Sequence, residues 1–252
     1  MRDDLEEFAY YFKNLFGVLK NELFDSWFGL LFMMSGLIVQ YIAYKTTDAS
    51  LISLISGSAG VISVVLCSQK KWMFYVFGWL QLITYCILAY EQRLYGELAE
   101  NGFYAATMIA GMWIWLSHYN RESAVVDTLK MTKTWFSVTI VAMAICIIAL
   151  YSVLLRTDDT QPFIDSVTTV PAFIAQILLI LRYREQWLFW LIIDIGSVVM
   201  WITAGDYCMA AQFVFWSLNC IYGFAKWCDA PARLKTSRLH TAGFRIHLNP
   251  VL

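Results

Sequence analysis

Asp194 stands seven residues beyond Trp187 inside an otherwise apolar run, which puts it roughly 10 Å along a helix rising 1.5 Å per residue. A charged group at such depth in a membrane costs about 2.5 to 3.5 kcal/mol on insertion scales. It therefore points to a ligand or ion pathway, or else to a carboxyl that is protonated or capped by a neighbouring hydroxyl. Neutral polar residues fall at similar depth in other apolar runs: Gln81 and Thr84, Thr107, and Asn219, with Gln212 closer to a run end. They have aromatic company. Trp190 precedes Asp194 by four residues and shares its helix face, Trp79 and Tyr104 lie in the first half, and Gln212, Trp216, Asn219 and Gly223 fall on one stripe. Rings that stack, a carboxyl that can face a cation, and amides that hydrogen-bond together suit a flat, cationic or electron-poor ring carrying hydroxyl groups. A simple ion would need fewer rings, and a lipid fewer polar groups. Thr84 and Thr107 could equally be glue between helices. Trp72, Trp135 and Trp187, at run ends, fit an interfacial aromatic belt.

The elements that must hold these residues are set by composition. Of 252 residues 60% are hydrophobic and 15% charged, against roughly 25% charged in a soluble domain. The chain lacks the polar surface to cover a water-soluble core of this size, and its net charge of -1 does not suit a nucleic-acid binder. Eight apolar runs are near the length that crosses a bilayer as a helix: residues 27–44, 51–68, 72–90, 98–118, 135–153, 167–183, 187–204 and 208–228. They do not alternate as barrel strands would, so the spacing predicts an all-α integral membrane protein with eight transmembrane helices. Residues 1–26 open with acids where a signal peptide needs bases. Phe8, Phe12, Leu15, Phe16 and Leu19 predict an amphipathic surface helix there.

Assigning alternate loops to alternate sides sends 15 of the 18 lysines and arginines to one side, leaving Lys45, Arg93 and Arg156 on the other. By the positive-inside rule both termini are expected in the cytoplasm, with a basic cytoplasmic tail over 229–252. Six cysteines lie in or at the ends of apolar runs without a CxxC motif, and read as packing residues, neither disulfide nor zinc ligands. No cofactor is expected. His118 at a span end and His240 and His247 in the tail make no nucleophile-base set, which argues against an enzyme.

Internal similarity predicts how the spans are grouped. Aligning Trp72 with Trp187 brings the two halves into correspondence, and Tyr104, Thr107, Gly111 and Trp115 repeat the spacing of Trp216, Asn219, Gly223 and Trp227. The expected organisation is an added first helix (27–45), a three-helix bundle (51–118), a linking helix (135–154) and a second bundle (165–228). One helix between the halves makes this 3+1+3 core a pair of parallel repeats, typical of transporters with a site at the repeat interface.

Over about residues 51 to 228 the chain resembles the PnuC family of vitamin transporters. The resemblance is most specific at Tyr95 and Gly96 followed by Tyr104, Trp113 and Trp115, and in the run from Trp187 through Trp190, Asp194, Trp216 and Asn219 to Trp227. It implies parallel three-helix bundles like those of SWEET sugar transporters. It also implies facilitated diffusion of nicotinamide riboside across a bacterial inner membrane, with trapping by a separate cytoplasmic kinase. Carried onto this chain, it makes Asn219 and the Trp190/Asp194 helix the expected contacts, with Gln81 facing them. Many members have asparagine where this chain has Asp194. The alternative is a proton-coupled carrier of a related vitamin such as thiamine, with Asp194 titrating. A homo-oligomer is expected, as in many such membrane families.

Overall fold

The computed structural model describes residues 27–46, 50–91, 95–120, 123, 125–156, 162–203 and 207–228. The expected surface helix within 1–26 and the tail at 229–252 lie outside the described residues. Each of the eight apolar runs falls on one helix: α1 (Trp27–Thr46), α2 (Leu51–Ser68), α3 (Phe74–Glu91), α4 (Tyr95–Ser117), α5 (Lys133–Leu154), α6 (Pro162–Ile180), α7 (Gln186–Thr203) and α8 (Tyr207–Cys228). By length and composition α1, α2, α5 and α6 can cross a membrane, while α3 and α7 carry shorter apolar stretches.

Local chemistry sets the helix ends. The Ser50 hydroxyl accepts from Ser53 N at the start of α2, and the Thr132 hydroxyl from Trp135 N at the start of α5, each satisfying an otherwise free donor of the first turn. Helix α6 begins at Pro162, ahead of the apolar run first apparent at 167. Proline suits a first turn and Asp165 faces the positive helix end, so polar residues there extend the helix although they interrupt the hydrophobic signal. Helix α3 begins at Phe74, leaving Trp72 in the preceding turn.

Packing joins six helices into a closed ring in the order α2, α3, α4, α6, α7, α8 and back to α2. Helix α1 lies outside against α2 and α8, and α5 lies outside against α6. The α1 contact is built on Met33, Val61, Val65 and Phe215; Phe136 and Met143 of α5 pack against the α6/α7 cluster of Ala172, Ala175, Leu178, Phe189 and Ile193.

The turns after α2 and α6 have the same hydrogen bonds. Lys71 N donates to Leu66 O and Lys70 N to Cys67 O; Tyr183 N donates to Leu178 O and Arg182 N to Leu179 O. Lys70 and Arg182 are left-handed, with φ of 64° and 63°, at the position where such a helix cap usually has glycine. Equivalent atoms are 112 positions apart, from 70 to 182. Continuing that register pairs Tyr75 with Trp187, since Tyr75 N bonds Trp72 O as Trp187 N bonds Arg184 O. The sequence match of Trp72 with Trp187 is therefore three positions out, whereas Trp115 and Trp227 fall in register.

Between α4 and α5, strands β1 (Tyr119–Asn120) and β2 (Val125–Val126) pair antiparallel. The chain then passes both turns: Val126 N donates to Lys70 O at 2.9 Å, and Leu129 N to Arg182 O at 2.8 Å. Arg182 Nη1 donates to the Asp127 carbonyl at 2.8 Å. Burial lowers the Arg182 pKa from its usual value, opposed by the nearby Asp127 carboxylate.

Candidate functional site

A layer of polar side chains crosses the ring about one to two helical turns from these basic turns. On α7, Asp194 is 4% exposed, and its Oδ2 accepts from the Cys220 thiol of α8 at 3.2 Å. The residue before that cysteine, Asn219, is 1% exposed; its Nδ2 donates to Val64 O of α2 at 3.1 Å. Asn219 thus bridges α8 to α2 while its neighbour meets α7. On the other side of the ring, Gln176 Nε2 of α6 donates to Thr107 Oγ1 of α4 at 3.1 Å. These two seams also follow the 112-position register, since 64 pairs with 176 and 107 with 219.

Gln81 of α3 lies against α2 because Gly60 leaves it room; a Cβ on Gly60 would come 3.0 Å from Gln81 Cδ. Thr84 donates to Leu80 O and Gln81 O of its own helix, which makes it a local backbone partner and not glue between helices. Thr107 combines the two roles, donating to Phe103 O and Tyr104 O while accepting from Gln176. The Tyr104 hydroxyl donates to Glu100 Oε1 at 2.5 Å.

The aromatic residues divide. Trp79 and Trp190 pack against the large central cluster. Trp216 instead packs beside Phe213 and the cluster facing α1, although its Nε1 is buried without a hydrogen-bond partner. The expected stripe on α8 is shared among neighbours: Gly223 receives the Trp187 ring, Asn219 turns to α2, and Gln212 is half-buried near the opposite end. Two belt assignments are corrected. Trp135 is 65% exposed as such a residue would be, but Trp72 and Trp187 are 6% and 4% exposed, since the turns fold them into the ring.

Sequence reasoning missed Gln176, 5% exposed, although an amide within an apolar run was a signal of the same kind as Gln81. It also took Cys220 as packing alone, whereas the thiol is a donor to Asp194; a small apolar-looking side chain gives no sequence sign of that role.

Chemically, the layer leaves one acceptor open. Asn219 Oδ1 is buried with no hydrogen-bond partner, at a cost of about 1 to 3 kcal/mol that a donor on a polar ligand would offset. The rings of Trp190 and Trp79 pack against the cluster that includes Cys220, the thiol partner of Asp194.

The model of the family described as "Nicotinamide mononucleotide transporter" matches residues 50–229. A nicotinamide riboside transporter PnuC of Haemophilus influenzae is 31% identical over 217 residues, covering 83% of this chain and 94% of its own. The protein of the same name from Escherichia coli K12 is 26% identical, over 76% of this chain and 90% of its own. The crystal structure of the vitamin B3 transporter PnuC superposes with a TM-score of 0.72 at 25% identity, covering 84% of this chain and 96% of that one. With this fold, and matched in sequence over most of its length, the chain belongs to the PnuC family of nicotinamide riboside transporters.

Proposed function

We propose that this chain is a membrane transporter of nicotinamide riboside, not an enzyme, and that it works by facilitated diffusion across the bacterial inner membrane. The carrying observation is Asn219, held by Val64 O through Nδ2 while Oδ1 is buried without a partner. In this reading the pyridinium and its amide lie against Trp190 and Trp79, and the ribose hydroxyls and amide are shared among Asn219, Asp194 and Gln81. Thr107, Thr84, Tyr104, Gln212 and Trp216 belong to an outer circle of the same site. The six-helix ring is read as two parallel three-helix repeats linked by α5, a 3+1+3 core with α1 added. The recurrence of turns and seams at 112 positions supports that reading. Both termini are read as cytoplasmic, a reading supported by the excess of lysine and arginine on one side; the chain is taken to form a homo-oligomer, and a cytoplasmic kinase would trap the product.

Purified protein in liposomes tests the site. Asn219→Ala and Trp190→Ala should each weaken nicotinamide riboside binding in calorimetry by about tenfold and slow its uptake. If both variants bind and transport like the unmodified chain, the site is elsewhere. Uptake should be indifferent to an imposed pH gradient; dependence that disappears in Asp194→Asn would instead favour a proton-coupled carrier, with thiamine as the competitor to try.

A further inference from the structure

Building on the transport reading, we propose that the ring is shut at its basic end by an exit gate, in which Trp115 and Trp227 latch the two halves together and segment 125–131 straps the opening. One buried cluster at this end includes Leu66 of α2, Tyr75 of α3, Trp115 of α4, Leu179 of α6, Trp187 of α7 and Trp227 of α8. Trp115 and Trp227 come from α4 and α8, which stand opposite each other in the ring, and rings from opposite helices can meet only near its axis. A solute leaving the polar layer toward the basic turns would have to pass there, and Cys220 belongs both to the cluster and to the Asp194 contact.

The rings close the axis as a chain of two edge contacts and one tilted contact. Tyr75 and Trp115 are 5.7 Å apart at 87°, Trp115 and Trp227 5.7 Å apart, and Trp227 and Trp187 5.6 Å apart at 89°. Each latch tryptophan bonds the other half. Trp115 Nε1 donates to Leu179 O at 3.0 Å, and Trp227 Nε1 to Cys67 O at 3.2 Å. These acceptors are the same carbonyls that receive Arg182 N and Lys70 N in the left-handed turns. The latch is therefore built from one side chain on each half gripping a helix end of the other, and it can part without unwinding a helix.

The strap adds a third connection. Val126 is 1% exposed within the cluster and its N bonds the first turn, while Leu129 bonds the second turn in both directions, through Leu129 N to Arg182 O and Arg184 N to Leu129 O. Thr128 Oγ1 donates to Trp227 O at 3.4 Å. Separation of the two turns must release the strap on at least one side.

Two features distinguish this plug from a permanent core. The Tyr75 hydroxyl and Trp187 Nε1 are buried without hydrogen-bond partners. Closing leaves both unsatisfied, and water or solute entering on opening would satisfy them, so the closed and open states are brought closer in free energy.

Cys67 reports on the gate, because its thiol is 5% exposed within the cluster. The experiment uses the full chain in liposomes, a small methanethiosulfonate reagent, and mass spectrometry to follow modification of Cys67 itself. The double variant Trp115→Phe with Trp227→Phe keeps both rings and removes both latch donors. Cys67 should then react about tenfold faster, since labelling follows the open population when opening is fast. Val126→Ala should accelerate it in the same direction, and decides the matter if the double variant does not fold. Rates within about twofold of the unmodified chain in every folded variant would overturn the gate. Calorimetry with nicotinamide riboside keeps the two proposals apart: faster labelling in a chain that binds no nicotinamide riboside would sink the transport reading and leave the gate, and normal binding with unchanged labelling would do the reverse.

Discussion

Single atoms decide much of the packing inside the ring. Gly111 of α4 lies under the Tyr75 hydroxyl, and Gly223 of α8 under the Trp187 ring, where a Cβ would come 2.6 Å from ring carbons. Gly111→Ala should destabilise the protein by about 1 to 3 kcal/mol, read as a lower midpoint of thermal unfolding in detergent. Adding Tyr75→Phe removes the clashing oxygen and should restore part of the loss, whereas Gly223→Ala has no such remedy because the obstruction is the indole itself. Equal losses in Gly111→Ala with and without Tyr75→Phe would refute this account. Both glycines were visible in the sequence as members of a repeated spacing. What they accommodate was not, because the register between turns, three positions away from the tryptophan match, chooses Tyr75 and Trp187 as the occupants.

At the scale of helices, the ring is stitched by one amide at each of two seams, α4–α6 and α8–α2. Gln176 joins α6 to α4, and Asn219 joins α8 to α2. Thr107→Val should strand the Gln176 amide, which is 5% exposed, at about 1 to 3 kcal/mol. Gln176→Leu in the same chain should recover most of that, giving a coupling of about 1 kcal/mol in a double-mutant cycle. Simple additivity would mean that the α4–α6 seam does not depend on this bond. The existence and order of the helices were legible from apolar runs, because a chain in lipid must satisfy its backbone within each span. Their starts were less so: Asp165 and Ser166 hid the first turns of α6, and the turn at Gln69 to Met73 took Trp72 out of α3.

For the molecule as a whole, sidedness is the decisive question, since the gate and the positive-inside argument both depend on which face carries the basic turns. Ser123 is exposed on that face, its N donating to Asn120 Oδ1. A Ser123→Cys variant should react with an impermeant maleimide in inside-out vesicles and not in intact cells; the opposite pattern would invert the orientation and turn the proposed exit into an entrance. Among the described residues none of helix α5 is buried, which leaves its surface open to lipid.

The amino-acid sequence alone determined that this chain lives in a membrane and roughly which segments form its helices, because hydrophobic length is a property of the covalent chain. The tertiary structure decided the partners. A helical period of 3.6 tells which side chains share a face, but not what that face meets. Thus Asp194 found a thiol, Asn219 a carbonyl of α2, and Trp187 a place in the buried central cluster, each through the angle and register at which separate helices pack.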